Sequence, residues 1–121
     1  MNCEVEFTDE FGEWWDTLDE WEQATVDAHV RMLEEFGVAL VFPYSSDIKG
    51  SAISRLRELR PQHKGNPLRV LYAFDPRRMA ILLIGGDKTG NDRWYDEFVP
   101  IAERLYRQHL EGLEKEGLID G

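Results

Sequence analysis

At 121 residues the chain has room for one domain of ordinary size, and 42% hydrophobic with 31% charged residues is an ordinary globular balance. No apolar run approaches the roughly 18 residues of a membrane span, the start Met1-Asn2-Cys3-Glu4 has no leader pattern, and the lone Cys3 allows no internal disulfide; a cytoplasmic, reducing location is the expectation. The net charge of −10 argues, at face value, against a nucleic-acid partner.

The charge is unevenly placed. Residues 1–48 hold thirteen Asp/Glu against the single Arg31, residues 49–95 hold ten Lys/Arg against four acids, and residues 96–121 hold three against seven. Nearly all the positive charge therefore lies in the middle third, which hints at a local anion-binding surface.

In chain order, Cys3–Phe7 alternates polar and apolar and predicts a strand. Thr8 or Asp9 can cap a following helix whose apolar face is Phe11, Trp14, Trp15 and Leu18, and Asp19 offers a second cap. Trp21, Thr25, Ala28, His29, Met32, Leu33 and Phe36 fall near helical spacing, with Gly37 as the stop. Residues 38–52 read as a loop. The period then switches to two: strands are predicted around Leu56–Glu58, over Leu68–Phe74 and over Met79–Ile84, the last apolar throughout as a strand buried on both faces would be. Asp75-Pro76-Arg77-Arg78 makes the hairpin turn between the last two, and Gly85–Asn91 reads as a tight polar loop. From Asp92 onward Trp94, Phe98, Ile101, Ala102, Leu105 and His109 predict a closing helix that begins near Pro100 or is kinked there. The order β-α-α-β-β-β-α predicts an α+β domain over 1–112, a mainly antiparallel four-stranded sheet with helices on one face, and a frayed tail over 113–121.

The segments Leu56-Arg57-Glu58-Leu59-Arg60, Leu68-Arg69-Val70-Leu71-Tyr72-Ala73-Phe74, Gly86-Asp87-Lys88-Thr89 and Ile101-Ala102-Glu103-Arg104-Leu105-Tyr106 carry a resemblance. In order and spacing they are similar to the RelE/ParE toxin superfamily, within it the HigB or phage Gp49-like branch. The likeness covers roughly residues 2–110 and is specific over 55–106, while the N-terminal helices match only in pattern. It implies a toxin of a type II toxin–antitoxin system that cleaves messenger RNA on the ribosome without a metal or cofactor. It also implies a neutralising antitoxin with a helix-turn-helix domain, and DNA contact only through that antitoxin.

Cleavage without a metal uses the 2′-hydroxyl against its own 3′-phosphate, so the site needs a proton acceptor, cations for the charge on phosphorus, and help for the departing 5′-oxygen. The resemblance assigns these tasks to Arg69 as phosphate clamp, Lys88 as transition-state or leaving-group partner, and Tyr95 for stacking or proton transfer, with Tyr106 a second, more structural candidate. Arg55, Arg57, Arg60, His63, Lys64 and Arg93 are placed to hold RNA backbone. His63 reads as either a base or an idle loop histidine; Trp94 as either a base-stacking platform or core. The three histidines lack the spacing of a metal site, and Gly85-Gly86 fits no phosphate-loop motif.

The chain departs from the family at the loop holding Lys88, where Asp87 and Asp92 stand among what is often a denser run of Lys and Arg. Three readings stay open: the ribosome-dependent nuclease, a ParE-like toxin that binds gyrase and performs no chemistry, and a diverged protein that only binds its antitoxin.

Overall fold

A computed structural model describes residues 2–53 and 55–120. Strand β1 (Val5–Phe7) leads into α1 (Asp9–Asp16) and α2 (Glu20–Phe36), followed by one turn of 3-10 helix at Gly37–Ala39. The remaining elements are β2 (Ser45–Asp47), β3 (Arg57–Leu59), β4 (Gln62–His63), β5 (Asn66–Phe74), β6 (Ala80–Asp87) and α3 (Trp94–Lys115). Among the described residues, no helix is long and apolar enough to cross a membrane.

The helix starts are fixed by the expected caps. The Thr8 hydroxyl accepts from the Phe11 N–H at 3.0 Å and donates to the Leu83 carbonyl at 2.7 Å, so one side chain starts α1 and ties it to β6. Asp19 and Glu22 form a reciprocal box, each side chain accepting from the other's backbone N–H at 2.8 and 2.9 Å. Each such cap contributes about 1 kcal/mol by satisfying donors that the helix itself leaves open. Gly37, at φ 54°, ends α2 in a conformation that costs other residues more.

The sheet runs β1-β6-β5-β3-β2, with β4 folding back as a short hairpin on β5. Only the β1–β6 pair is parallel; β5 and β6 form the long antiparallel centre, with an irregularity at Leu71/Tyr72. Alternation along β5 and β6 sends apolar side chains to both faces. Val70, Tyr72, Ala80 and Leu82 pack with Phe11 of α1 and with Val26 and Leu33 of α2. Leu71, Ala73, Ile81 and Leu83 pack with Trp94, Ala102 and Leu105 of α3.

The mainly antiparallel α+β order is as expected, with three adjustments. The sheet has six strands rather than four, because β2 forms within 38–52, read as a loop, and β4 forms in the connection between the first two strands expected after it. The α1–α2 pair shares one face, whereas α3 covers the other, as two central strands buried on both sides require. The boundary expected at residue 112 falls inside α3: Leu113 is buried, and Gly117 (φ 73°) closes the helix through the N–H of Leu118 on the Leu113 carbonyl at 2.9 Å. Pro100 lies within α3, so the helix neither begins there nor stops.

Gly85 and Gly86 belong to β6 and not to a loop. A Cβ at Gly85 would fall 2.3 Å from the Trp14 ring, and one at Gly86 would fall 2.6 Å from the Trp94 indole nitrogen. The two glycines let one indole approach the backbone from each face, a tertiary demand that their sequence neighbourhood does not display.

Candidate functional site

The α3 face of the sheet is apolar over most of its area and charged at one end. Strand alternation puts Glu58 of β3 opposite Leu71, on that face, and Arg69 of β5 opposite Gly86, on the same face. Both are nearly inaccessible, Glu58 at 4% and Arg69 at 5%. Since the bare backbone of Gly86 leaves space beside it, the Trp94 indole and the Arg69 side chain can share that end of the sheet.

Glu58 is the hub. Its Oε1 accepts from the Tyr95 hydroxyl at 2.6 Å and lies 3.5 Å from Arg69 Nε. Its Oε2 accepts from the Ser46 hydroxyl at 2.7 Å and from Arg60 Nη1 at 2.9 Å. Arg69 uses Nη1 on the Leu68 carbonyl at 2.8 Å, and its buried Nε meets no acceptor in hydrogen-bonding geometry. Lys88 sits with its ammonium 5.1 Å from the centroid of the Tyr95 ring, within cation–π range. The result is two cations and a phenol on one carboxylate, with a third cation over the phenol's ring.

Tyr95 is the second residue of α3, held edge-on to Trp94 (centroids 5.1 Å apart), which in turn stacks on Phe98 at 4.5 Å. Burial, then the hydrogen bond to Glu58 and that carboxylate's charge, raise the Tyr95 phenol above its ordinary value, with Arg69 opposing. Tyr95 is therefore a protonated donor at neutral pH. Trp94, 1% exposed, belongs to the core rather than to a stacking platform.

Beside Glu58 and Tyr95 opens a cleft of about 490 Å³ between α3 and the segment after β2, lined by Ile48, Gly50, Val99 and Pro100 and, at its charged positions, by Asp47, Lys49, Asp96 and Glu103. Glu103 of α3 fixes the far wall by accepting from the Ser51 hydroxyl at 2.7 Å and the Ala52 N–H at 2.6 Å. Those bonds hold its carboxyl below the ordinary range.

The sequence-derived candidates thus separate. Arg69, Lys88, Tyr95 and Arg60 converge. Arg57, one residue from Glu58, points to the opposite face, where it donates to Ser45, Tyr72, the Leu40 carbonyl and Asp47. Its donors are spent on anchoring β2, which departs from the expected RNA contact for a reason of strand parity. His63 likewise turns to α2, its Nδ1 2.9 Å from the Thr25 hydroxyl. Arg55, Lys64 and Arg93 are exposed, Arg93 with Asp96 at 3.7 Å. Tyr106 donates to the Phe74 carbonyl at 2.8 Å and His109 pairs with Asp75 at 3.0 Å, both away from the cluster.

Sequence reasoning passed over Glu58, although it lies in the quoted Leu-Arg-Glu-Leu-Arg strand. Its signal is an acid centred in the basic segment, at the parity that shares a face with Arg60. Among the described residues no group of acids, histidines and cysteines is arranged to hold a metal.

The chain is similar to several known proteins. Residues 13–107 match the family described as Phage derived protein Gp49-like (DUF891). A Mycobacterium tuberculosis protein carrying the toxin name HigB2 is 39% identical over 103 residues, covering 84% of this chain and 51% of that protein. Another from the same organism, carrying the toxin name HigB3, is 42% identical over 92 residues, covering 75% of this chain and 79% of that protein. The chain thus spans about half the length of the first and most of the second. A solved structure of the E. coli toxin RelE, a double mutant in the free state, superposes with a TM-score of 0.56 at 9% identity, covering 78% of this chain and 92% of that one. That likeness is one of fold.

Proposed function

The chain belongs to the Gp49-like, HigB-type branch of the RelE superfamily, and from that premise we propose that it is the toxin of a type II toxin–antitoxin pair. Its activity is metal-independent cleavage of messenger RNA on the ribosome. The observation that carries the chemical part is the meeting of Arg69, Arg60 and Tyr95 on Glu58, with Lys88 over the Tyr95 ring, where Glu58 and Tyr95 line a cleft.

In this reading Glu58 takes the proton from the 2′-hydroxyl, O2′ attacks phosphorus, and the bond from phosphorus to O5′ breaks. The products are a 2′,3′-cyclic phosphate and a 5′-hydroxyl. Arg69 and Arg60, permanently charged, neutralise the oxygens on phosphorus as charge builds there. Lys88 or the protonated Tyr95 supplies the proton to the departing O5′. In the free chain Arg69 is held against Glu58, so a phosphate entering the cleft exchanges one anionic partner of Arg69 for another. Exposed Arg55, Lys64 and Arg93 provide contacts to RNA backbone. Arg57 and His63 are left out of this scheme because their polar atoms are committed within the protein.

The antitoxin, a protein with a DNA-binding helix-turn-helix domain, neutralises the toxin, which acts in the cytoplasm where ribosomes are. The test is to induce the chain alone in a bacterial host and map messenger 5′ ends, with cleavage repeated on programmed ribosomes in phenanthroline, which removes transition metals and leaves the ribosome its magnesium. Translation-dependent cuts within codons, undiminished by phenanthroline, are expected. Growth arrest without cuts would point to gyrase or another bound target, and no arrest from soluble protein would leave antitoxin binding as the remaining activity.

A further inference from the structure

On the face opposite the cleft, a groove of about 400 Å³ runs between β1, α1 and α2. Its floor is Phe11 and Leu82, and its walls are Phe7, Trp15 and Val30. Phe7 stands 64% exposed on the sheet's terminal strand, an unusual cost for an aromatic ring on an acidic surface. Gly12 keeps the groove open within a helix, where alanine would favour the helix and would meet nothing closer than the Phe7 ring at 3.5 Å.

The rim is acidic. Asp16, Asp27 and Glu34 line it. Arg31 pairs with Asp27 at 2.8 Å and feels Glu34 only at longer range; among the described residues neither Asp16 nor Glu34 has an ion-pair partner. These acids belong to a segment, residues 1–48, with thirteen acids and one base. An apolar floor under an uncompensated anionic rim selects an occupant of matching chemistry: apolar side chains to fill the groove, flanked by Lys or Arg. A second copy of this chain would bring two strongly negative faces together, and RNA or an anionic lipid surface would be repelled.

We infer that this groove is the docking site for a basic, apolar-anchored segment of the antitoxin, which therefore grips the toxin on the face away from Glu58 and Arg69. The inference rests on the toxin–antitoxin reading and not on the nuclease chemistry.

The test titrates the full-length antitoxin from the same operon into purified toxin by calorimetry, at low and at moderate salt. Asp16→Lys with Glu34→Lys, both at exposed helical positions, is expected to weaken binding at least tenfold. Phe7→Ser, at an exposed position, is expected to weaken it at least fivefold. Glu13→Lys with Glu20→Lys makes the same charge change outside the groove and is expected to stay within twofold of the wild type. In cells the groove variants should still arrest growth, with rescue by the antitoxin lost.

Equal binding by the groove variants overturns the inference, as does an equal loss in the control pair, which would reduce the effect to bulk charge. A wild-type dimer that the groove variants dissolve also overturns it, by assigning the groove to a second copy. If the wild type binds no antitoxin, the toxin–antitoxin reading falls and the groove assignment with it; if the wild type and all variants bind alike, the groove assignment falls alone.

Discussion

Two buried carboxylates lie on the α3 side of the sheet, and they are satisfied in different ways. Asp75, in the β5–β6 turn, has a side chain with no exposure. Arg77 grips it through Nε and Nη2 at 3.0 and 2.7 Å, the backbone N–H groups of Arg77 and Met79 donate at 2.8 and 3.3 Å, and His109 closes it at 3.0 Å. Burial alone would raise its pKa, but the bonds from His109, Arg77 and Met79 outweigh that and hold it below the ordinary value. Glu58 has no backbone donor among its recorded partners; all are side chains, drawn from β2, from β5, from α3 and from the residue after β3. It also opens on a cleft, and its closest buried cation keeps an unsatisfied Nε. A carboxylate locked by backbone and short-range partners staples a turn to a helix. One held only by side chains beside a cleft can exchange its partners without breaking backbone hydrogen bonds, and exchange is what catalysis needs. The same helix serves both, supplying Tyr95 in its first turn and His109 about four turns later.

The sharpest way to break this contrast is Arg69→Ala. It should cut cleavage by about 10³-fold and, by leaving Glu58 buried without that cation, cost about 3–5 kcal/mol of stability. Arg69→Lys separates the two effects: denaturant melts should recover much of the stability, while cleavage stays low because a point charge cannot bridge two phosphate oxygens. A fully active Arg69→Ala protein would remove Arg69 from the mechanism.

Asp75→Asn should cost about 3 kcal/mol, as expected when one member of a buried pair is lost, and leave cleavage untouched. Its acid behaviour should change as well. Because the folded-state pKa of Asp75 lies below its unfolded value, its charge contributes stability above the unfolded value and loses it as pH falls through the folded one. Thermal melts from pH 6 down to pH 3 should therefore fall less steeply for Asp75→Asn than for the wild type. An unchanged slope would mean that Asp75 does not carry the acid limb.

Glu58→Gln removes the proton acceptor, so cleavage should drop by about 10²-fold, and it leaves the buried Arg69 without its anion, so denaturant melts should lose about 3 kcal/mol. A drop in stability without a drop in cleavage would make Glu58 a second Asp75. Tyr95→Phe is the mildest change. It should slow cleavage about 10-fold, measured in single turnover, since Lys88 remains to serve the leaving oxygen.

Much of this arrangement was legible in the sequence. Local rules sufficed to bring the first cap to Thr8 or Asp9, and for Asp19 and Gly37, because a cap depends on a handful of consecutive residues. The strand at Leu68–Phe74 and the placement of Arg69 on it followed from period-two alternation. The convergence of Lys88 and Tyr95 came from the resemblance, since nothing in their spacing says which strand they meet. Three things were hidden for one shared reason: they depend on which element lies across the sheet. Gly85-Gly86 resembles a loop until Trp14 and Trp94 are seen against it. Arg57 and Glu58 differ by one residue in a mixed-charge strand, and only register shows that one anchors β2 while the other meets α3. His63 reads as a free loop histidine until Thr25 of α2 is placed against it.

The paired glycines carry a consequence for how the molecule melts. Along most of its width the sheet separates its two apolar cores by a layer of side chains on each face. At Gly85-Gly86 the partition thins to a single bare backbone, with Trp14 pressed against one side and Trp94 against the other. Both indoles rest on the same two-residue stretch of β6, so a break in that stretch frees both faces at once. The two cores therefore lose their packing together, and unfolding should be one all-or-none event in which calorimetric and van't Hoff enthalpies agree.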